Sequence, residues 1–181
     1  VTDSSLPVPS QKIPAAPAYG AATLSEILPS AAHALGIPGY ANPLGLAPTK
    51  RVAVIMVDGL GWNQLKSHLG HAPFLRPVFE RAQKLGTGFP STTATSLSSL
   101  AIGAAPGEHG MLGYDVIDPA RRRVVNQLGG WPGDLDPLSW QPLPTVFEKA
   151  AEHGIHTATV SIAQFSDSSL TRAALRGPKF V

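Results

Sequence analysis

The 181-residue chain reads as an α/β protein, and three observations carry that reading. The run "RVAVIMV" at 51–57 is apolar and β-branched without polar alternation, as a strand buried on both faces of a parallel sheet requires. It ends in "DGLGWNQLKSHLG", a carboxylate and two glycines ahead of a helix-compatible stretch, so strand, tight loop and helix follow in order. The stretch "PLPTVFEKAAEHGIHTATVSI" at 142–162 adds a helix through Phe147 and Ala151, a stop at Gly154 and a strand over 156–162.

The remaining elements follow in chain order. Four prolines in the first twenty residues make 1–22 an extended lead-in along the surface, with 23–181 as one domain. In "TLSEILPSAAHALG", Leu24, Ile27, Leu28, Ala31, Ala32 and Leu35 recur at helical spacing, Pro29 kinks or divides the helix, and Gly36 ends it. "PFLRPVFERAQKLG" predicts a helix ending at Gly86, and "TGF" a short strand. Helical spacing resumes over 93–102 through Ala94, Leu97, Leu100 and Ala101. "YDVIDPARRRVVNQL" reads as a β-hairpin turning at "DPAR", and the tail "SDSSLTRAALRGPKFV" offers one short capped helix. No internal repeat is visible.

Composition narrows the class. A chain this long has room for one sizeable core, and buries roughly 70% of its extended surface. A 43% hydrophobic share against 14% charged residues places it among globular proteins. So low a charge also points to apolar surface covered by a partner or by further chain. A net charge of +2, built from few charges of either sign, is no nucleic-acid signature. Zero cysteines exclude disulfides, thiolate metal sites and cysteine nucleophiles. No apolar run approaches the roughly 20 residues of a membrane-spanning helix. The first residues lack a basic stretch followed by an apolar one, which sets the cytoplasm as the default expectation and leaves export open. Oligomeric state is not legible.

Two places can carry chemistry. Asp58 stands at the carboxyl end of the expected strand, where ligands gather in open α/β sheets, so it is a candidate metal ligand or acid/base group. An ordinary Asp-Gly turn is the competing reading. The segment 91–99 then packs seven hydroxyl side chains into nine positions. A helix beginning near Thr92 or Thr93 presents free N–H groups and a positive dipole end, which suit a phosphate. Most of these alcohols read as structural: Ser91 or Thr92 as cap, and Ser96, Ser98 and Ser99 as small residues at a close helix contact. One of them reads as a nucleophile, provided that a base or cation lowers the cost of its deprotonation.

"VAVIMVDGLG" followed by "FPSTTATSLSSLAIGAAPGEHGMLGY" resembles the alkaline phosphatase superfamily, and within it the type I phosphodiesterase and nucleotide pyrophosphatase family. Asp-Gly ends a strand, Thr93 lies ten residues before Gly103, and Pro106, His109 and Gly110 complete a Pro-x-x-His-Gly motif. The resemblance implies a three-layer α/β/α sandwich, of which this chain is expected to be the N-terminal portion. It also implies a hydrolase of phosphate esters or phosphodiesters using two divalent metal ions, zinc by preference. Asp58 would ligate one ion, and Thr93 would bind the same ion as alkoxide, attack phosphorus and form a phospho-threonine intermediate.

The chain departs from the family pattern in three respects. Ala94 follows the expected nucleophile where many members carry an aromatic residue that stacks on a base, which argues against nucleotide preference. Tyr114 occupies the position of a phosphoryl-binding asparagine; its phenol can donate that bond, while a core tyrosine is the favoured reading. The family's further aspartates and histidines, including Asp-His-Gly, are not in the sequence. Two other readings stay open: a phosphomonoesterase, phosphonate hydrolase or phosphomutase of the same fold, and a non-catalytic binding module.

The other histidines have plain readings. His68 and His71 flank a glycine at a helix end and read as exposed, His109 as a turn-stabilising residue, and His153 and His156 as capping groups. "RRR" at 121–123 reads as a solvated hairpin turn.

Overall fold

A computed structural model describes residues 15–181; residues 1–14, most of the expected lead-in, lie outside the described residues. The first element is a 3-10 turn, Leu24–Glu26, that runs directly into α1, Ile27–Ala34. Thr23 caps it, and the Glu26 carboxylate reaches back to accept from the Thr23 N–H at 2.6 Å. Pro29 falls in the first turn of α1, where N–H groups have no intrahelical partner and a proline costs little. The division expected at Pro29 therefore lies at Glu26 instead, as the change from 3-10 to α. Gly36, at φ +86°, ends the helix.

The run 51–57 is not the buried strand that its composition predicts. It has no regular secondary structure and every residue in it is exposed, Ile55 at 87%. β-branched side chains favour a strand, but a strand forms only when a neighbour takes its N–H and C=O groups. Among the described residues, none pairs with it. The next helices are short: α2, Trp62–Ser67, and α3, Arg76–Phe79. The longer helix expected over 73–86 shrinks to one turn because no residue there is buried, and isolated helices this short are marginal without a packed face. In place of the strand expected at 87–89 there is an isolated parallel bridge between Thr23 and Gly86.

From residue 93 onward the sequence reading holds better. Helix α4, Thr93–Ile102, ends at Gly103, and one turn follows as α5, Pro106–His109. Strands β1, Asp115–Asp118, and β2, Arg123–Asn126, form the expected hairpin, antiparallel with Asp115 opposite Asn126. After α6, Pro137–Trp140, helix α7, Val146–Glu152, starts from a capping box between Thr145 and Glu148. The strand expected over 156–162 is reduced to β3, Ala158–Thr159. Helix α8, Ser169–Ala174, capped by Ser168, precedes β4, Lys179–Phe180, which pairs parallel with β3. The described residues thus form a mixed α/β arrangement with two two-stranded sheets, and no central sheet joins them into three layers.

Helix α4 is shared by both apolar clusters. Its Leu100 packs with Leu28, Ala32, Ile37, Val146 and Ala150, while its Ala94 packs with Met111, Leu170 and Ala174. Thr95, Ser96, Ser98 and Ser99 are buried too, which confirms that most of the hydroxyl cluster is packing. Gly103, at φ +72°, closes the contact: a Cβ there would lie 2.6 Å from Pro29 Cγ and 3.1 Å from Val146 Cγ2. A side chain at this position would push α1 and α7 away from α4.

Candidate active site

The structure brings Asp58 and Thr93 together. Thr93 Oγ1 donates to Asp58 Oδ2 at 3.1 Å, across 35 residues of sequence. Thr93 is the first residue of α4 and is half-buried; Asp58 is exposed, in a turn with Gly59 at φ +72°. The positive φ explains the glycine, since L-residues avoid that region, and the turn aims the carboxylate toward the helix end.

Thr92 holds the cap position of α4 but makes no side-chain bond to the first-turn amides; its Oγ1 lies 3.0 Å from Thr95 Oγ1. Thr95 Oγ1 also accepts from the Gly113 N–H at 2.9 Å, which tethers the loop carrying Tyr114 to the first turn of α4. The tyrosine itself corrects the core reading: it is 52% exposed, on the loop entering β1, with its backbone carbonyl accepting from the Gln127 N–H. Hydrogen bonds do not join it to Asp58 or Thr93. Ala94, by contrast, is fully buried against Met111 and Leu170, so the position after Thr93 faces the core and presents nothing to a ligand.

His109 is structural, as its motif position suggested. It is 3% exposed; Nδ1 accepts from the Met111 N–H at 3.0 Å, which leaves Nε2 to donate to Ser99 Oγ at 3.0 Å. That pairing requires the neutral ring, and burial pushes its pKa down to about 4, against a smaller upward pull from Glu108. His68 and His71 are exposed, with His68 Nδ1 against the Gln64 carbonyl. His153 ends α7, its Nδ1 2.9 Å from the Lys149 carbonyl, and His156 lies exposed beyond it.

The hairpin turn is solvated, as the sequence suggests, with Arg121 and Arg122 exposed and Arg123 partly covered. Arg121 and Arg123 both engage the buried Asp118 and the exposed Asp134, so four charges lock the turn. Arg122 takes the left-handed conformation, φ +52°. Asp134 carries no local signal in the sequence, and only the folded chain reveals it as a partner.

A family model, type I phosphodiesterase / nucleotide pyrophosphatase, matches residues 52–175. The chain belongs to this family, within the alkaline phosphatase superfamily. Nothing matches among curated proteins or solved structures. The matched span includes Asp58, Thr93, Gly103, His109 and Tyr114, and leaves out 15–51, which holds α1 and the turn before it.

Family membership raises the question of metal. Zinc takes about four ligands, and no group of three or more His, Cys, Asp or Glu side chains converges among the described residues. Asp58 and Thr93 are two donors of one coordination shell, an anionic oxygen and an alcohol, and do not by themselves make a zinc site. Nor is any helix among the described residues long and apolar enough to cross a membrane.

Proposed function

We propose that the protein hydrolyses phosphoric esters, phosphodiesters in the first place, with Thr93 as nucleophile. The single observation that supports this best is the 3.1 Å hydrogen bond from Thr93 Oγ1 to Asp58 Oδ2 at the start of α4. Family membership supports the same class of chemistry.

In this reading the ester's phosphoryl group sits at the N-terminus of α4, where N–H groups and the helix dipole favour an anion. Asp58 draws the Thr93 proton away from the side facing phosphorus and holds the oxygen in one rotamer. Attack by that oxygen forms the Thr93 O–P bond and breaks the bond from phosphorus to one ester oxygen, which leaves with a proton as an alcohol. The intermediate is a phosphoryl-threonine that keeps the second ester group. Water then attacks phosphorus, Thr93 regains its proton, and a monoester is released. Metal dependence belongs to the same proposal: Asp58 and Thr93 would supply two of the donors to one of two zinc ions, whose positive charge would lower the cost of the alkoxide. Tyr114, tethered beside the helix end through Gly113, is the proposed donor to a phosphoryl oxygen.

Ala94 favours substrates other than nucleotides, since a buried methyl group offers no ring for a base to stack on. The test is Thr93→Ala in the whole protein, assayed on an aryl phosphodiester with an aryl phosphomonoester beside it. Turnover falls to background and no phosphoryl adduct is found on the tryptic peptide that carries Thr93 in the parent. Unchanged turnover would remove Thr93 from the mechanism. Faster turnover of the monoester would reassign the substrate class within the same fold.

A further inference from the structure

We infer that Tyr19 is a positioning residue for Thr93, an inference that rests on the hydrolase reading above. Its phenolic oxygen accepts a hydrogen bond from the Phe89 N–H at 3.0 Å, across 70 residues of sequence and from outside the span that the family model matches. Phe89 lies four residues before the nucleophile, on the loop that delivers it to α4.

That loop is held from both sides. On one side the Gly86 N–H donates to the Ala22 carbonyl at 2.8 Å, the Leu24 N–H donates to the Gly86 carbonyl at 2.9 Å, and Tyr19 adds the third bond at Phe89. On the other, Gly88 presses against the α4–α5 junction so closely that a Cβ would lie 3.0 Å from Pro106 Cγ and 3.3 Å from Thr95 Cγ2. The segment that carries Tyr19 is itself anchored. The Glu26 carboxylate accepts from the N–H of Gly20 and Thr23 and from the hydroxyls of Thr23 and Ser25, at 2.6 to 2.9 Å. Between Phe89 and the helix the path is short and stiff: the Thr92 N–H donates to the Pro90 carbonyl at 3.0 Å. A displacement at Phe89 therefore reaches Thr93 with little slack, and a small misplacement of a nucleophile costs rate far more than it costs binding.

Exposure separates positioning from stability. Tyr19 is 37% exposed and Phe89 71% exposed, so removal of the phenolic oxygen leaves the Phe89 N–H to water and creates no buried orphan. A residue whose role is only to hold the fold would lower stability when cut back; this one is expected to leave it unchanged.

The experiment is Tyr19→Phe in the whole protein, with Ile117→Ala on the exposed face of the hairpin as control. Loss of one hydrogen bond corresponds to about tenfold faster amide exchange at Phe89, with exchange over 97–102 and the melting temperature unchanged. The Thr93 amide resonance moves in Tyr19→Phe and stays in place in the control. On an aryl phosphodiester, kcat falls about tenfold while KM holds within about twofold. Unchanged exchange at Phe89, or an unmoved Thr93 resonance, overturns the inference. So does faster exchange accompanied by an unchanged kcat. Should the parent protein turn over no phosphoester, the hydrolase reading falls, and the exchange and resonance measurements still decide whether Tyr19 places Thr93.

Discussion

Of the ten residues of α4, eight are buried, whereas from residue 51 through 87 not one is. The two halves of the candidate site come from these two regions. Thr93 belongs to a helix wedged between α1, α7 and α8, with both apolar clusters built on it. Asp58 belongs to a segment whose internal contacts are local, such as the Trp62–Phe79 ring pair at 4.2 Å. Thr93 is thus placed by the core, and the Asp58 carboxylate reaches it through a single exposed hydrogen bond. The proposed mechanism needs both groups in register, so the comparison locates the weaker constraint at Asp58.

The largest effect expected from this contrast falls on α4. Leu100→Ala removes a buried side chain that touches residues of α1 and α7, and costs about 2–5 kcal/mol of folding stability. Chemical denaturation measures it directly. A cost below about 1 kcal/mol would break the comparison, because α4 would then not be the element that holds the packed region together.

Acid probes the same helix at its other face. His109 must be neutral to accept from the Met111 N–H and donate to Ser99, and its pKa drops from 6.5 to about 4 on folding. The unfolded chain therefore binds the proton first as pH falls. Stability from this group is complete above about pH 6.5 and is lost progressively down to about pH 4, on the order of 3 kcal/mol in all. Glu26 also has a lowered pKa. Burial raises it, but hydrogen bonds from Ser25, Thr23 and Gly20 outweigh that, so its share is lost only below its ordinary value of 4.5. The denaturation midpoint of the parent should slope between pH 6.5 and 4.5, and that of His109→Gln should be nearly flat there. Parallel slopes in the two proteins would show that the ring is not held neutral.

The contrast between regions also explains what could be read from the sequence. Signals carried by neighbours along the chain were legible: Gly36 as a stop, a cap before the last short helix, the apolar stretches on either side of the hairpin turn, and the helical spacing of α1, α4 and α7. Features made by distant chain were not. The run 51–57 has the composition of a buried strand, but pairing, not composition, makes a strand, and no described segment supplies it. The ion pairs of Arg121 and Arg123 with Asp134 were not legible, because nothing local pointed to Asp134. Tyr19 lay in what read as a proline-rich lead-in, and its bond to Phe89 spans 70 residues. Asp58 and Thr93 were legible as candidates through a motif whose spacing repeats a known pattern, and their proximity is a product of the fold. Tyr114 shows the limit of the same reasoning: its motif position was clear and its exposure was not.

The smallest expected effect sharpens the comparison most. Ile55 stands in the middle of the apolar run with 87% of its surface exposed. An exposed side chain loses almost nothing when trimmed, so Ile55→Ala should change stability by no more than about 0.5 kcal/mol. Had the run been the doubly buried strand that its composition predicts, the same change would cost about 2–5 kcal/mol. Chemical denaturation of this one variant separates the two outcomes by a margin well beyond experimental error. A cost above about 1 kcal/mol would mean that the segment is covered in solution. Asp58 would then be fixed by packing rather than by its hydrogen bond to Thr93, and the asymmetry between the two halves of the site would disappear.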